Sequence, residues 1–392
     1  MRLPDHEHPT MQHAPQPLHS LTSARFFAAL WVLMMHFASV GALGPTDSAD
    51  AHAAWLRFWL ATGGSAVGFF FVLSGFILAH TYHQRLTPPT PERRRQFWRA
   101  RLARIYPTYL LALCLTTITA LTLGHQGLAP WKDCTLASCS GPWLLSLIPL
   151  QSWFADSQIQ QLWNAPGWSI ATEAFFYALF PWLLRPTLAL TQRFGWWTLA
   201  SLWATQNILF AALSLYTLHA NPELQASLAW WHERLPLLRL PEFLMGICAW
   251  SLFQHHPLRA THSAQALTLV GILTGIWYLP APDAASLLHT PFSGKAYLLA
   301  APCFALLIYW LACAERQPQQ RLTRWLKHPK LITLGQASYS LYILHWSGLQ
   351  SLFIAAGHPP AWAGYATVLL LMGVSVLVYR NFERPIQQRL LN

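Results

Sequence analysis

Long apolar runs alternate with short polar segments that hold most of the charge in this chain. Ten runs approach or reach the roughly 20 residues that a helix needs to span a bilayer. They cover 22–43, 63–82, 104–124, 168–185, 196–218, 235–254, 264–280, 296–314, 334–356 and 361–381. Another apolar piece, 142–154, is short and broken by prolines, so it is expected to be re-entrant or interfacial and not an eleventh span. Residues 1–20 are polar and rich in Pro and His, without the compact apolar stretch and cleavage site of a signal peptide. They read as a disordered cytoplasmic tail, whose His6, His8, His13 and His19 are solvated and bind metal only opportunistically. No fixed-period repeat or linker divides the rest of the chain. The expected fold is all-α and integral to the membrane: about ten transmembrane helices forming one domain over 21–392, with no appended soluble domain.

Composition removes the soluble alternative. Hydrophobic residues make up 54% of the chain and charged residues 10%, against about 25% charged in soluble domains. The 21 Trp and 21 Phe suit membrane interfaces. A net charge of +11 points to nucleic acid only when the basic residues form one patch. Here they fall between the apolar runs. With the N-terminus inside, 20 of the 25 Lys and Arg lie on cytoplasmic segments, leaving Arg57, Lys132, Arg234, Arg239 and Lys295 outside. That satisfies the positive-inside rule with both termini cytoplasmic. The cysteines show no zinc-type spacing and no metal site is expected. Cys134 and Cys139 share an outer loop, where a small disulfide-closed loop is expected.

A few polar residues enter the apolar runs, where ionisable groups are costly and mark functional sites. Arg25 and His36 are eleven residues apart, so they share one helix face, with His36 about 16 Å deeper and near mid-membrane. The plain structural alternative for His36 is a buried imidazole bonded to a neighbouring helix. Arg101 and Arg104, at i and i+3, share a face at the cytoplasmic start of the third span. With Arg25 they can converge at the inner surface, where guanidinium forks suit phosphates; the alternative is a set of topology anchors. Glu383 and Arg384 close the last span, Glu383 being placed to orient one of these arginines by an ion pair. Trp168, Ser169, Glu173 and Tyr177 open the fourth span on the outer side, the last three forming one polar stripe. Arg239 is a candidate partner for Glu173 if that acid is only structural. His345 in the ninth span competes with His36 as a mid-membrane base. Gly75 and Ser74, in Phe70-Phe-Val-Leu-Ser74-Gly75-Phe76, suit close helix packing and an interhelical hydrogen bond.

These elements together resemble the acyltransferase-3 family of bacterial integral-membrane acyltransferases that modify surface and exported polysaccharides. The resemblance rests on Arg25 with His36, on Arg101 with Arg104, and on residues 70–76. It rests equally on Trp168 to Tyr177, on Ser338-Tyr-Ser-Leu-Tyr-Ile-Leu-His345, and on Glu383-Arg384-Pro385. It implies a multi-pass protein of the bacterial inner membrane that takes an acyl group, expected to be acetyl, from cytoplasmic acyl-CoA. The acceptor implied is a hydroxyl of a glycan or lipid-linked saccharide on the outer side. Acyl-CoA is then a co-substrate, with no tightly bound cofactor, and the remaining partners are membrane lipids. His36, Arg25 and Glu173 are the expected catalytic residues, His36 as general base or transient acyl carrier. Arg101, Arg104, Glu383 and Arg384 are expected to bind the donor, and Trp168, Ser169, Tyr177 and His345 the acceptor. A transporter using His36, His345 and Glu173 is the competing class, although no repeated halves are visible; a non-catalytic sensor of the same fold is a third.

Overall fold

A bilayer core offers the backbone no hydrogen-bond partner except itself, so apolar runs of this length fold as helices. The computed structural model describes residues 16–39, 43, 62–123, 135–219, 228, 231–257, 295–317, 321–356 and 360–391. Every element among them is helical. In chain order these are α1 His19–Ser39, a 3-10 turn Thr62–Ser65, α2 Ala66–Tyr82, α3 Pro91–Leu123 and α4 Leu136–Leu147. After a 3-10 turn at Gln151–Trp153 come α5 Ser157–Gln161, α6 Gly167–Phe194, α7 Trp196–Leu218, α8 Pro236–His255 and α9 Lys295–Glu315. The chain ends with α10 Arg321–Leu326, α11 Pro329–Gln336, α12 Ser338–Ala356, α13 Ala361–Val378, a π-turn Tyr379–Glu383 and α14 Arg384–Leu391.

Nine of the ten expected spans fall on helices, and the remaining one, 264–280, lies outside the described residues. Six described helices are long and apolar enough to cross a membrane. The 28-residue α6 is not among them, because its polar stripe lowers its apolar character. The segment 142–154 ends the 12-residue α4 and continues into the 3-10 turn, too short to span. Cys139 is disulfide-bonded; its expected partner Cys134 lies outside the described residues, as do His6, His8 and His13.

Helices α2 and α8 form the centre, each buried on nearly every side. Their close approach depends on glycine. A methyl group on Gly75 would collide with the Phe243 carbonyl, and one on Gly246 with the Val72 carbonyl. Around this pair, α6, α7 and α9 pack on α8, while α1 packs on α2 and α12, and α3 on α12. The outward faces of α3, α7 and α13 expose Ile118, Leu121, Ile208, Leu215, Leu369 and Leu377, the surface expected where lipid is the solvent.

The first turn of α1 is locked in place. Glu315 accepts from the backbone N–H groups of His19 at 2.8 Å and Ser20 at 3.0 Å, and from the Ser20 hydroxyl. It thereby satisfies orphan donors of the helix start. Lys327 stands 3.6 Å from the same carboxylate. Ser23 donates to the Leu326 carbonyl at 2.5 Å, and Gly335 lets α11 approach the Thr22 backbone. These contacts fix the rotation of α1, and therefore where Arg25 and His36 point.

Candidate active site

Among the described residues, α1 runs between two of the cavities in the bundle. The first, about 240 Å³, is lined by Arg25, Arg101 and Arg104 together with Glu173, Tyr177 and Tyr339. Tyr82 accepts a hydrogen bond from an Arg101 terminal nitrogen at 3.0 Å, and the Arg101 guanidinium lies over both the Tyr82 and Tyr177 rings. Arg104 is ion-paired with Glu383 and lies over the Tyr339 ring. Glu383 is 1% exposed. Its second oxygen accepts from the Ser340 hydroxyl at 2.5 Å. The π-turn supplies this acid: it adds a residue to the helical turn, and Glu383 faces inward while Arg380 and Arg384 are exposed. Arg25 has no carboxylate within 4 Å among the described residues.

Glu173 lines this same cavity. Its Oε1 accepts from the Tyr177 hydroxyl at 2.5 Å and the Ser74 hydroxyl at 3.0 Å. Ser74 thus makes the expected interhelical hydrogen bond, to α6. The expectation that Glu173, Ser169 and Tyr177 stand apart from the arginine cluster is corrected. All three point into the arginine-lined space, because it extends up along α6 as far as Ser169. Arg239 is not the partner of Glu173. It pairs with Glu242 at 3.1 Å, one turn along its own helix, and Gln206 donates to the same acid at 3.0 Å.

The second cavity, about 570 Å³, lies at the other end of α1 and contains His36, Trp168 and Trp346. Glu233, Arg234 and Arg239 add charge to its wall. The Arg234 guanidinium lies over Trp168, 5.6 Å from the ring centroid, and donates to Gln160 at 3.0 Å. Burial holds the Glu233 carboxyl above its ordinary range, while Arg234 and Arg239 pull it back down. The His36 ring packs 5.1 Å from His345 and 5.0 Å from Trp346.

His345 is fully buried and lines neither cavity. Its Nδ1 is 2.6 Å from the Tyr342 carbonyl. A carbonyl only accepts, so Nδ1 carries the proton and Nε2 is left as an acceptor, with no hydrogen-bond partner among the described residues. Arg384 is exposed and lines neither cavity. Sequence reasoning passed over Val67, Tyr342, Tyr339, Tyr82, Glu233 and Arg234. Tyr339 and Tyr342 stood inside a motif already singled out, and helical spacing from Ser338 would have placed Tyr342 on its face. Glu233 and Arg234 sit in a loop with no pattern to mark them.

The chain is 29% identical over 345 residues to the acyltransferase MdmB of Streptomyces mycarofaciens, covering 84% of this chain and 78% of that protein. It is 21% identical over 388 residues to the O-acetyltransferase OatA of Staphylococcus aureus, 96% of this chain but only 58% of that longer protein. No solved structure matches the chain. The family model described as an acyltransferase domain matches residues 18–380: the chain belongs to the acyltransferase-3 family.

Proposed function

We propose that this protein moves an acyl group, most simply acetyl, from cytoplasmic acyl-CoA to a hydroxyl of a glycan or other envelope acceptor on the outer side of the plasma membrane. The observation that carries the reading is the pair of cavities, one rich in arginine and one holding His36, placed at opposite ends of α1 and meeting inside the bundle. The charge asymmetry supports an orientation with the arginine end and both termini in the cytoplasm. That OatA is an O-acetyltransferase supports acetyl as the group and oxygen as the acceptor.

On this reading the CoA phosphates bind Arg25, Arg101 and Arg104, whose planar forks donate paired hydrogen bonds. Glu383 and Tyr82 hold two of those forks in direction. The thioester then extends along the apolar wall of Leu73, Ile77 and Phe70. The acceptor enters from the other side, where Trp168 and Trp346 offer ring faces to a sugar and Glu233 and Arg234 offer polar contacts. His36 takes the proton from the acceptor hydroxyl as its oxygen attacks the thioester carbonyl. The C–S bond breaks, an ester forms, and the thiolate recovers the proton as CoA-SH. His345 packs on the His36 ring and helps to set its orientation. The test is release of CoA thiol from acetyl-CoA by membranes containing the protein, combined with mass spectrometry of envelope glycans from wild-type and deletion cells. Loss of an acyl mass on deletion supports the reading; identical glycans and no thiol release refute it.

A further inference from the structure

Two residues line both cavities: Val67 on α2 and Tyr342 on α12. Each is nearly buried, at 4% and 7% exposure, so together they form the wall between the arginine-lined space and the His36 space. Tyr342 is held there at several points. Its hydroxyl is 2.8 Å from the Ser169 oxygen, and Ser169 donates its one proton to the Pro166 carbonyl at 2.8 Å. The tyrosine is therefore the donor to Ser169. Its ring meets Phe70 edge-on at 5.8 Å. Its carbonyl accepts from His345, the residue packed on His36. Helix α12 thus joins the partition to the histidine pair through one residue. Val67 faces it from the central helix, whose position is fixed by the glycine contacts with α8.

We infer that Tyr342 and Val67 form a septum that sets which acyl groups reach His36, admitting a short chain and excluding longer ones. The inference rests on the acyl-transfer reading and extends it to the chemical class of donor. A thioester anchored at the arginines must present its carbonyl at this wall to meet a hydroxyl on the other side. A rigid aliphatic side chain and a tethered aromatic ring leave little room beyond that carbonyl, and a methyl group is the smallest alkyl substituent. Each extra methylene lodged against such a wall changes the rate about 10-fold or more. The Tyr342–Ser169 link has a second consequence. While it is closed it separates water in the outer cavity from the thioester.

The experiment uses membrane vesicles from native cells lacking the chromosomal copy and carrying wild type, Val67→Ala, Val67→Phe or Tyr342→Phe, so that the native acceptor is present. Radiolabelled acetyl-CoA and butyryl-CoA are supplied at the cytoplasmic face, and label in the saccharide fraction, CoA-thiol release and acetyl-CoA binding are measured. Wild type should prefer acetyl. Val67→Ala should raise the butyryl-to-acetyl rate ratio about 10-fold. Val67→Phe should stop transfer while acetyl-CoA binding stays within about twofold of wild type. Tyr342→Phe, which keeps the ring and loses the link, should release CoA thiol without matching transfer to saccharide. If Val67→Ala and Tyr342→Phe remain folded and keep the wild-type ratio and coupling, the septum is overturned while acyl transfer stands. A wild-type protein inert toward both donors overturns the septum and the acyl-transfer reading together.

Discussion

Replacing Glu383 by Gln sets two effects of opposite sign against each other at the arginine-lined cavity. Glu383 is buried and holds Arg104, while Arg104 itself is 22% exposed and faces the cavity. Hydrogen bonds to charged groups contribute about 1.5–3 kcal/mol and neutral ones about 1 kcal/mol. The Gln amide oxygen still accepts from Arg104, so the variant loses about 0.5–2 kcal/mol of the hold on that guanidinium. Against this, removing a negative charge makes the cavity more attractive to phosphate. A phosphate charge on the far side of Arg104 would lie about 8 Å from Glu383, and at an effective protein dielectric of about 20 the pair interacts by about 2 kcal/mol at low salt. Physiological salt screens over about the same distance and reduces that further. At low salt the two effects nearly cancel; at high salt loss of aim exceeds what remains of the field, and acetyl-CoA binding there should weaken about 5-fold. Because Arg104 can still reach water, the stability loss should fall below the 3–5 kcal/mol typical of breaking a fully buried pair. Equilibrium binding of acetyl-CoA to detergent-purified protein at low and high salt, with thermal melting on the same samples, reads both terms. Binding by Glu383→Gln as tight as wild type at high salt would show that the ion pair does not position Arg104.

The same reasoning fixes other outcomes. Glu173 is the carboxylate that lines the arginine cavity, and Gln keeps an oxygen for Tyr177 and Ser74. Glu173→Gln should thus fold normally and bind acetyl-CoA more tightly than wild type at low salt, the gain shrinking as salt rises; weaker binding would contradict the cavity's charge balance. Gly246→Val forces a side chain against the Val72 carbonyl. It should destabilise by about 1–3 kcal/mol or more, read as a lowered melting temperature or loss of protein from the membrane, and a wild-type melting curve would show that α2 and α8 are free to separate.

The fold was largely legible because apolar runs of spanning length leave the backbone few alternatives. Expected and observed helix bounds agree closely at α2, α7 and α8. The arginines that share a cavity were legible too, since charges entering an apolar run need a physical reason. Depth was not. Counting residues from the outer end of α6 places Glu173 near the surface, yet the side chain faces a space that reaches it from the other end. A cavity's length is a property of the packing of several helices, and no single helix carries it. The Arg239–Glu242 pair shows the converse. Its i, i+3 spacing is readable from sequence, but a search for a partner to Glu173 drew attention elsewhere. The π-turn at Tyr379–Glu383 left no sequence signal, although it decides that Glu383 is buried and Arg384 exposed. Tyr342 looked like one more aromatic residue until two cavities met at its ring.

The central claim is that an acyl group enters at the arginine end and leaves beside His36. It is tested most directly by sided vesicles from native cells given radiolabelled acetyl-CoA on one face at a time, with wild type and His36→Ala compared at equal protein levels. Label should reach the saccharide fraction only when acetyl-CoA meets the cytoplasmic face. Loss of a general base should lower that transfer about 10²–10⁴-fold in His36→Ala, the usual range for such a group, while acetyl-CoA binding at the arginines persists. Transfer from either face, or undiminished transfer by a normally folded His36→Ala protein, would contradict the account.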